Sequence, residues 1–164
     1  MFRANGTDTM SEPTEGVPAP DFTLPGDSDS TITLSEYRGK PVVVYFYPKD
    51  NTSGCTKQAE SFESLLGEFE NAGVAIIGIS PDPVKSHDKF KDKLGLSFPL
   101  GSDGDQAVCE AYGVWKEKSM YGKKYMGVER STFLIDKDGT ISKAWRKVKV
   151  PGHAEAVLAA AKAL

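Results

Sequence analysis

Cysteine is the side chain best able to do chemistry in this 164-residue chain, and it occurs twice, as Cys55 and Cys109. Neither belongs to a Cys-x-x-Cys pair, so each is judged as a lone thiol. Cys55 stands in the run Pro48-Lys49-Asp50-Asn51-Thr52-Ser53-Gly54-Cys55-Thr56, between an apolar β-branched segment and a helical one. In open α/β sheets the end of such a strand is where ligands bind. A thiol in the first turn of a helix meets unpaired backbone N–H groups and the positive end of the macrodipole, and both favour thiolate over thiol. Gly54 lets a small oxyanion or peroxide approach the backbone. Thr52, three residues before the cysteine, brings a hydroxyl that accepts from one peroxide oxygen and orients the other. Pro48 shields the sulfur from water and removes a competing N–H. The missing fixed charge falls to Arg130, immediately before the segment Ser131–Ile135. A cation there holds the thiolate and stabilises the leaving oxygen, a kind of interaction worth on the order of 3 kcal/mol. The chemistry this assembles is nucleophilic attack by sulfur on an O–O bond.

The other candidates are weaker. Cys109 sits beside Val108 on a largely apolar turn, so buried core filler is the favoured reading and a resolving thiol the alternative. The run Cys55-Thr56-Lys57-Gln58 lacks the second thiol that a disulfide oxidoreductase needs. His87, between Ser86 and Asp88, suggests capping or surface work, and His153 is expected to be exposed at the start of the last helix. Cys55, Cys109, His87 and His153 have no zinc-ligand spacing. Asp136, Asp138 and Gly139 read as a turn rather than a metal loop. No metal, haem or flavin motif appears, so no cofactor is invoked. Trp115, Tyr121 and Tyr125 either form a hydrophobic rim or simply pack.

The elements that must position these residues are read from periodicity. Asp21–Leu24 and Thr31–Leu34 suit a hairpin. Val42–Tyr47 is apolar throughout, as a strand covered on both faces is, and Pro48 stops it. Ala59, Phe62, Leu65, Leu66 and Phe69 recur at helical spacing, ending at Gly73. Val74–Ile79 reads as a strand, Pro83–Leu94 as a helix closed by Gly95, and Asp105–Tyr112 as a helix closed by Gly113. Ser131–Asp136 and Thr140–Trp145 flank the turn Lys137-Asp138-Gly139, and Ala154–Leu164 is an alanine-rich helix. The order fits α/β class, with a βαβ half joined to a ββα half in the thioredoxin-like layout.

Length suits one domain, placed at residues 16–164, after an expected flexible extension over 1–15. Met10-Ser11-Glu12 resembles a second possible start. Net charge is −3, with no electrostatic footprint for nucleic acid. The cluster Arg146, Lys147, Lys149 reads as a solvated face. No apolar run reaches the ~18 residues of a membrane span. The first 16 residues lack a signal-peptide core, so the cytoplasm is the expected location.

The run Pro48-x-x-x-Thr52-x-x-Cys55, with Tyr45-Phe46-Tyr47 before it and Arg130-Ser131-Thr132-Phe133 after it, resembles the peroxiredoxins. The fuller text Phe46–Asp50 and Val128–Ile135 is similar to their Q-type branch, the bacterioferritin comigratory proteins, and the likeness runs from about Gly16 to the C-terminus. It implies a thioredoxin-like fold with an N-terminal β-hairpin extension and a peroxiredoxin-type helical insertion. It also implies a thiol peroxidase in which hydrogen peroxide or organic hydroperoxides oxidise Cys55 to a sulfenic acid, with Pro48, Thr52 and Arg130 completing the site. Three departures matter: Ser53 replaces a proline common in relatives, and the two usual resolving-cysteine positions hold Glu60 and Lys91. That leaves Cys109 as the internal candidate and favours a one-cysteine cycle, with thioredoxin, glutaredoxin or glutathione as electron donor. An atypical two-cysteine cycle through Cys109, or a peroxide sensor with the same oxidation, are the alternatives. Relatives of this type are often monomers, and a monomer is expected here.

Overall fold

The computed structural model describes residues 12–164. A five-stranded sheet has the order β5-β4-β3-β8-β9. Its strands are β3 (Val42–Phe46), β4 (Ala75–Ser80), β5 (Leu100–Ser102), β8 (Ser131–Ile135) and β9 (Ile141–Trp145). β3 pairs in parallel with β4 and β4 with β5, whereas β8 runs antiparallel to both β3 and β9. Every residue of β3 and β8 is buried, which is why their sequences read as unbroken apolar runs rather than alternating ones. The joined βαβ and ββα halves are the thioredoxin-like layout expected from the order of elements.

Strand alternation divides the interior into two cores. Val43, Tyr45, Ile76 and Leu134 point to one face, under α1 (Ser53–Ser64), α2 (Leu66–Asn71) and α5 (His153–Lys162). Val42, Val44, Phe46, Ile77 and Phe133 point to the other. There they meet the hairpin of β1 (Thr23–Pro25) and β2 (Thr31–Thr33) and the short helix α4 (Ala107–Ala111). The hairpin also covers the open edge of the sheet, through a bridge between Gly26 and Gly101, as an exposed edge strand requires.

The structure departs from the periodicity in four places. The helix expected through Phe69 is broken at Leu65 (φ −103°, ψ 3°), giving α1 and α2. The helix expected over Asp105–Tyr112 narrows to α4. β5 is a three-residue strand with no signal in the sequence. A further hairpin, β6 (Trp115–Met120) and β7 (Lys123–Val128), leads into Arg130. Its turn is Tyr121-Gly122, both at positive φ, the conformation of the tight turns that suit twisted strands. By contrast α3 (Val84–Leu94) ends at the predicted place, with Gly95 left-handed at φ 67°.

Of the segment expected to be an extension, residues 1–11 lie outside the described residues. Residues 12–15 lie against the body: Glu12 pairs with Lys116 and Arg146. Arg146 is not part of a solvated face. It donates to the carbonyls of Pro13, Tyr112 and Gly113 and lies 5.1 Å over the Phe133 ring, while Lys147 and Lys149 are exposed. Among the described residues no helix is long and apolar enough to cross a membrane.

Candidate active site

α1 begins where β3 ends its run and the chain turns back across the sheet. Thr52 is the N-cap residue in extended geometry, so Cys55 falls in the first turn of the helix. Its side chain is buried, only 2% exposed. Arg130 enters from the opposite direction, at the start of β8, and its Nη2 donates to Cys55 Sγ at 3.4 Å. The other arm, Nη1, donates to Gln58 Oε1 at 2.6 Å. Gln58 lies one helical turn beyond Cys55 and is itself buried, so a single helix face offers both the sulfur and the oxygen that aims the guanidinium at it. Gln58 is absent from the residues that the sequence singles out, although its i+3 spacing from Cys55 is a usable signal.

Gly54 has a role not anticipated from sequence. A Cβ there would lie 3.1 Å from Arg130 Nη2, so any side chain would crowd the guanidinium that lies across the helix start. The Thr52 hydroxyl donates to the carbonyl of Lys49 at 2.9 Å. Its proton is thereby committed and its lone pairs are left to accept. Pro48 is half-buried at the strand end. Lys118 of β6 reaches across Gly127, where a Cβ would touch the lysine chain at 3.3 Å. Burial, and then the nearby Arg130 charge, hold its ammonium below the usual lysine range, while Cys55 works the other way.

The loop between β3 and α1 is tied down by a buried polar network with no signature in the sequence. Asp50 accepts from Tyr47 Oη at 2.6 Å and from Ser86 Oγ at 2.8 Å, and its Oδ2 lies 2.7 Å from His87 Nδ1. His87 Nε2 faces the Gly101 carbonyl at 3.0 Å. His87 is fully buried, which corrects the expectation of capping or surface work. Asp50, Asp82 and His87 bring ligand-type atoms within 4.8 Å of one another. Both Asp50 oxygens and both His87 nitrogens already have protein partners, and Asp82 Oδ2 accepts from Asp50 N and Ser80 Oγ. The cluster is a closed hydrogen-bond network, not an open metal site.

His153 also corrects the sequence reading. It is buried, with Nε2 2.8 Å from Thr132 Oγ1 and its ring edge-on to Trp145 and Phe62. Burial, helped by the Arg130 charge, depresses its pKa to about 4. Trp115 packs against the second core, whereas Tyr121 is 97% exposed at the hairpin tip and Tyr125 is exposed beside it.

Cys109 lies on the other side of the sheet from Cys55, fully buried among the residues of the second core. Its backbone N–H donates to Asp103 Oδ2 at 2.7 Å. Burial and then the Asp103 carboxylate push its thiol well above the usual range. Of the two positions where the resemblance implies a resolving cysteine, Glu60 is exposed on α1. Lys91 on α3 forms an ion pair with Asp27 at 2.7 Å. Burial raises the Asp27 carboxyl, but Lys91 and the Leu100 N–H outweigh it and leave it lowered.

Comparison with known proteins follows the same lines. Residues 16–144 match the AhpC/TSA family. The peroxiredoxin Bcp of Xanthomonas campestris is 53% identical over 156 residues, spanning 94% of this chain and 98% of that protein. A solved structure of the bacterioferritin comigratory protein of the same organism, studied for alkyl peroxide reduction, superposes with a TM-score of 0.83 at 54% identity. It covers 87% of this chain and 90% of its own. Peroxiredoxin Q of that organism has also been solved with either of two cysteines, 36 positions apart, replaced by serine. One of those structures has a TM-score of 0.86 at 51% identity, covering 93% of this chain and 99% of its own. The residue 36 positions past Cys55 here is Lys91. The chain therefore belongs to the AhpC/TSA family, in its peroxiredoxin Q or Bcp branch, a group of oxidoreductases that act on peroxide.

Proposed function

We propose that this protein reduces hydrogen peroxide and organic hydroperoxides through Cys55 in a one-cysteine cycle. The observation that carries the reading is the Arg130 guanidinium, held by Gln58 on one arm and directed at the Cys55 sulfur on the other. The deprotonated sulfur attacks the nearer peroxide oxygen, and the S–O bond forms as the O–O bond breaks. Cys55 leaves the step as a sulfenic acid, and the departing oxygen takes up a proton to become water or an alcohol. Arg130 donates to the charge that gathers on the reacting oxygens. Thr52, its own proton spent on Lys49, accepts from the peroxide hydroxyl and fixes its orientation. Pro48 keeps water from the sulfur, and Gly54 leaves room for peroxide as well as for arginine. Alkyl hydroperoxides are included because a relative more than half identical was studied for that activity.

The sulfenic acid is then reduced by an external thiol: thioredoxin, glutaredoxin or glutathione. Lys91 and Glu60 support this, since neither can form a disulfide. Cys109 supports it too, because a bond from Cys55 would have to pass through β3 and its neighbours. The chain works as a monomer on this reading, and its two unpaired cysteines suit a reducing compartment such as the cytoplasm.

Peroxide consumption measured with each of the three reductants tests the reading. Many turnovers per protein molecule are expected with at least one, and none with Cys55→Ser. Consumption of a single equivalent, whatever the reductant, would overturn the enzyme reading in favour of a peroxide sensor. A quantitative Cys55–Cys109 disulfide after oxidation would overturn the one-cysteine cycle.

A further inference from the structure

Beside the loop that leads to Thr52, the N-cap of α1, lies a groove of about 360 Å³, bordered by Asp50 and Asn51 on the loop and by α3 on the other side. Pro83 and the buried ring of Phe90 give it an apolar floor. Lys85, Lys89 and Lys93 line it at intervals of one helical turn. Among the described residues none of the three is within ion-pair distance of a carboxylate. The acidic residues of the same helix, Asp88 and Asp92, occupy its other rows, and Asp88 accepts from the backbone of Ser28. The carboxylate that borders the groove, Asp50, is already bonded to Tyr47, Ser86 and His87. Lys93 reaches across to the loop and donates to Asn51 Oδ1 at 2.7 Å. The result is a concave, cationic surface beside the loop that leads into the Cys55 helix, of a size that suits a small ligand rather than a protein face.

We infer that this groove binds the reductant, and that the reductant is a low-molecular-mass thiol carrying carboxylates, such as a glutathione-type tripeptide. The inference rests on the one-cysteine reading above, which requires an outside thiol to reach a sulfur that is only 2% exposed. A small thiol reaches such an atom more readily than a cysteine on a folded partner. The lysine row supplies carboxylate partners, and the apolar floor supplies contact for the peptide backbone and methylenes. The groove is also a lasting surface. Where relatives place a second cysteine on this helix, Lys91 instead pins α3 to Asp27, and His87 pins it to Asp50. The bound thiol attacks the Cys55 sulfenic sulfur, forming a mixed disulfide and releasing water. A second thiol attacks the ligand sulfur of that disulfide, releasing the oxidised ligand dimer and returning Cys55 to its reduced form.

Four rates on the full chain test this. Oxidation of Cys55 by one equivalent of peroxide, followed by dimedone trapping, is expected to be the same in wild type and in the Lys85→Glu/Lys89→Glu double variant. Reduction of the sulfenic acid by glutathione is expected to saturate in wild type and to need about tenfold or more higher glutathione in the variant, with a steep loss at high salt. Glutathione esterified on both carboxylates, tested on the wild-type protein, is expected to lose saturation, a result that needs no variant. Reduction by 2-mercaptoethanol, which lacks carboxylates, is expected to be equal in both proteins. A linear glutathione dependence, or equal saturation in wild type and variant, overturns the groove assignment. Failure of Cys55 to form a sulfenic acid at all overturns the peroxidase reading instead, so the two failures are told apart.

Discussion

The sheet separates two cysteines of equal burial and opposite surroundings. Cys55 lies in the first turn of a helix with a guanidinium donating to its sulfur. Cys109 lies across the sheet with a carboxylate against its helix turn, and its thiol is pushed up. Burial alone therefore says nothing about reactivity. What differs is the sign of the nearest fixed charge. One face of the domain is built as a packed core with a thiol in it, the other as a core interrupted by a polar site.

The contrast is broken most severely by removing the charge. Arg130→Met is expected to lower the rate of Cys55 oxidation by about 10²–10³-fold, measured as the second-order rate constant with hydrogen peroxide. The same variant should leave Cys109 as inert as before. A loss below about threefold would mean that the guanidinium does not act on the reacting oxygens.

The polar face is also expected to be the acid-sensitive one. His153 is held neutral in the folded protein, with its pKa depressed to about 4, against about 6.5 in the unfolded chain. The unfolded state therefore takes up a proton first. Stability is full above about pH 6.5, falls as pH drops toward 4, and loses nothing further from this group below that. The full loss is on the order of 3 kcal/mol. Urea unfolding at pH 7 and pH 4.5 checks it, with His153→Asn expected to flatten that part of the profile.

A smaller effect should sharpen the role of Gln58. Gln58→Leu frees one arm of Arg130 and is expected to slow oxidation about tenfold, the size of one hydrogen bond to a charged group. Restoration of the rate by Gln58→Glu would show that the position aims the guanidinium rather than merely fills space. The mildest change falls on the second face. Cys109→Ala is expected to cost about 1 kcal/mol of stability through the small cavity it leaves, with the peroxide rate unaltered. A rate that fell with Cys109→Ala would join the two faces functionally and contradict the comparison.

Much of the polar face is legible in the sequence because its chemistry lies in one short run. Thr52, Gly54 and Cys55 share a helix start, and Arg130 stands at a strand that its apolar text makes plain. The parts that are not legible depend on distant segments meeting. Asp50 and His87 are 37 residues apart, and a lone histidine among the lysines and aspartates of α3 looks like a surface residue until β5 brings the Gly101 carbonyl to it. His153 misleads for the same reason, since Thr132 and Trp145 cover it only once the sheet has formed. The hairpin of β6 and β7 is invisible because Lys116–Lys124 is mostly charged and exposed and so lacks the alternation that burial imposes on a strand. In the sequence Gly54 speaks only for what it lets in, and the close approach of Arg130 shows what else it leaves room for.

The measurement that bears most directly on the account is peptide mapping by mass spectrometry after one equivalent of hydrogen peroxide in the presence of dimedone, without added thiol. The expected result is one dimedone adduct per chain, on Cys55, with Cys109 recovered as an unmodified thiol. Oxidation found on Cys109, or a bond joining the two cysteines in most of the molecules, would contradict it.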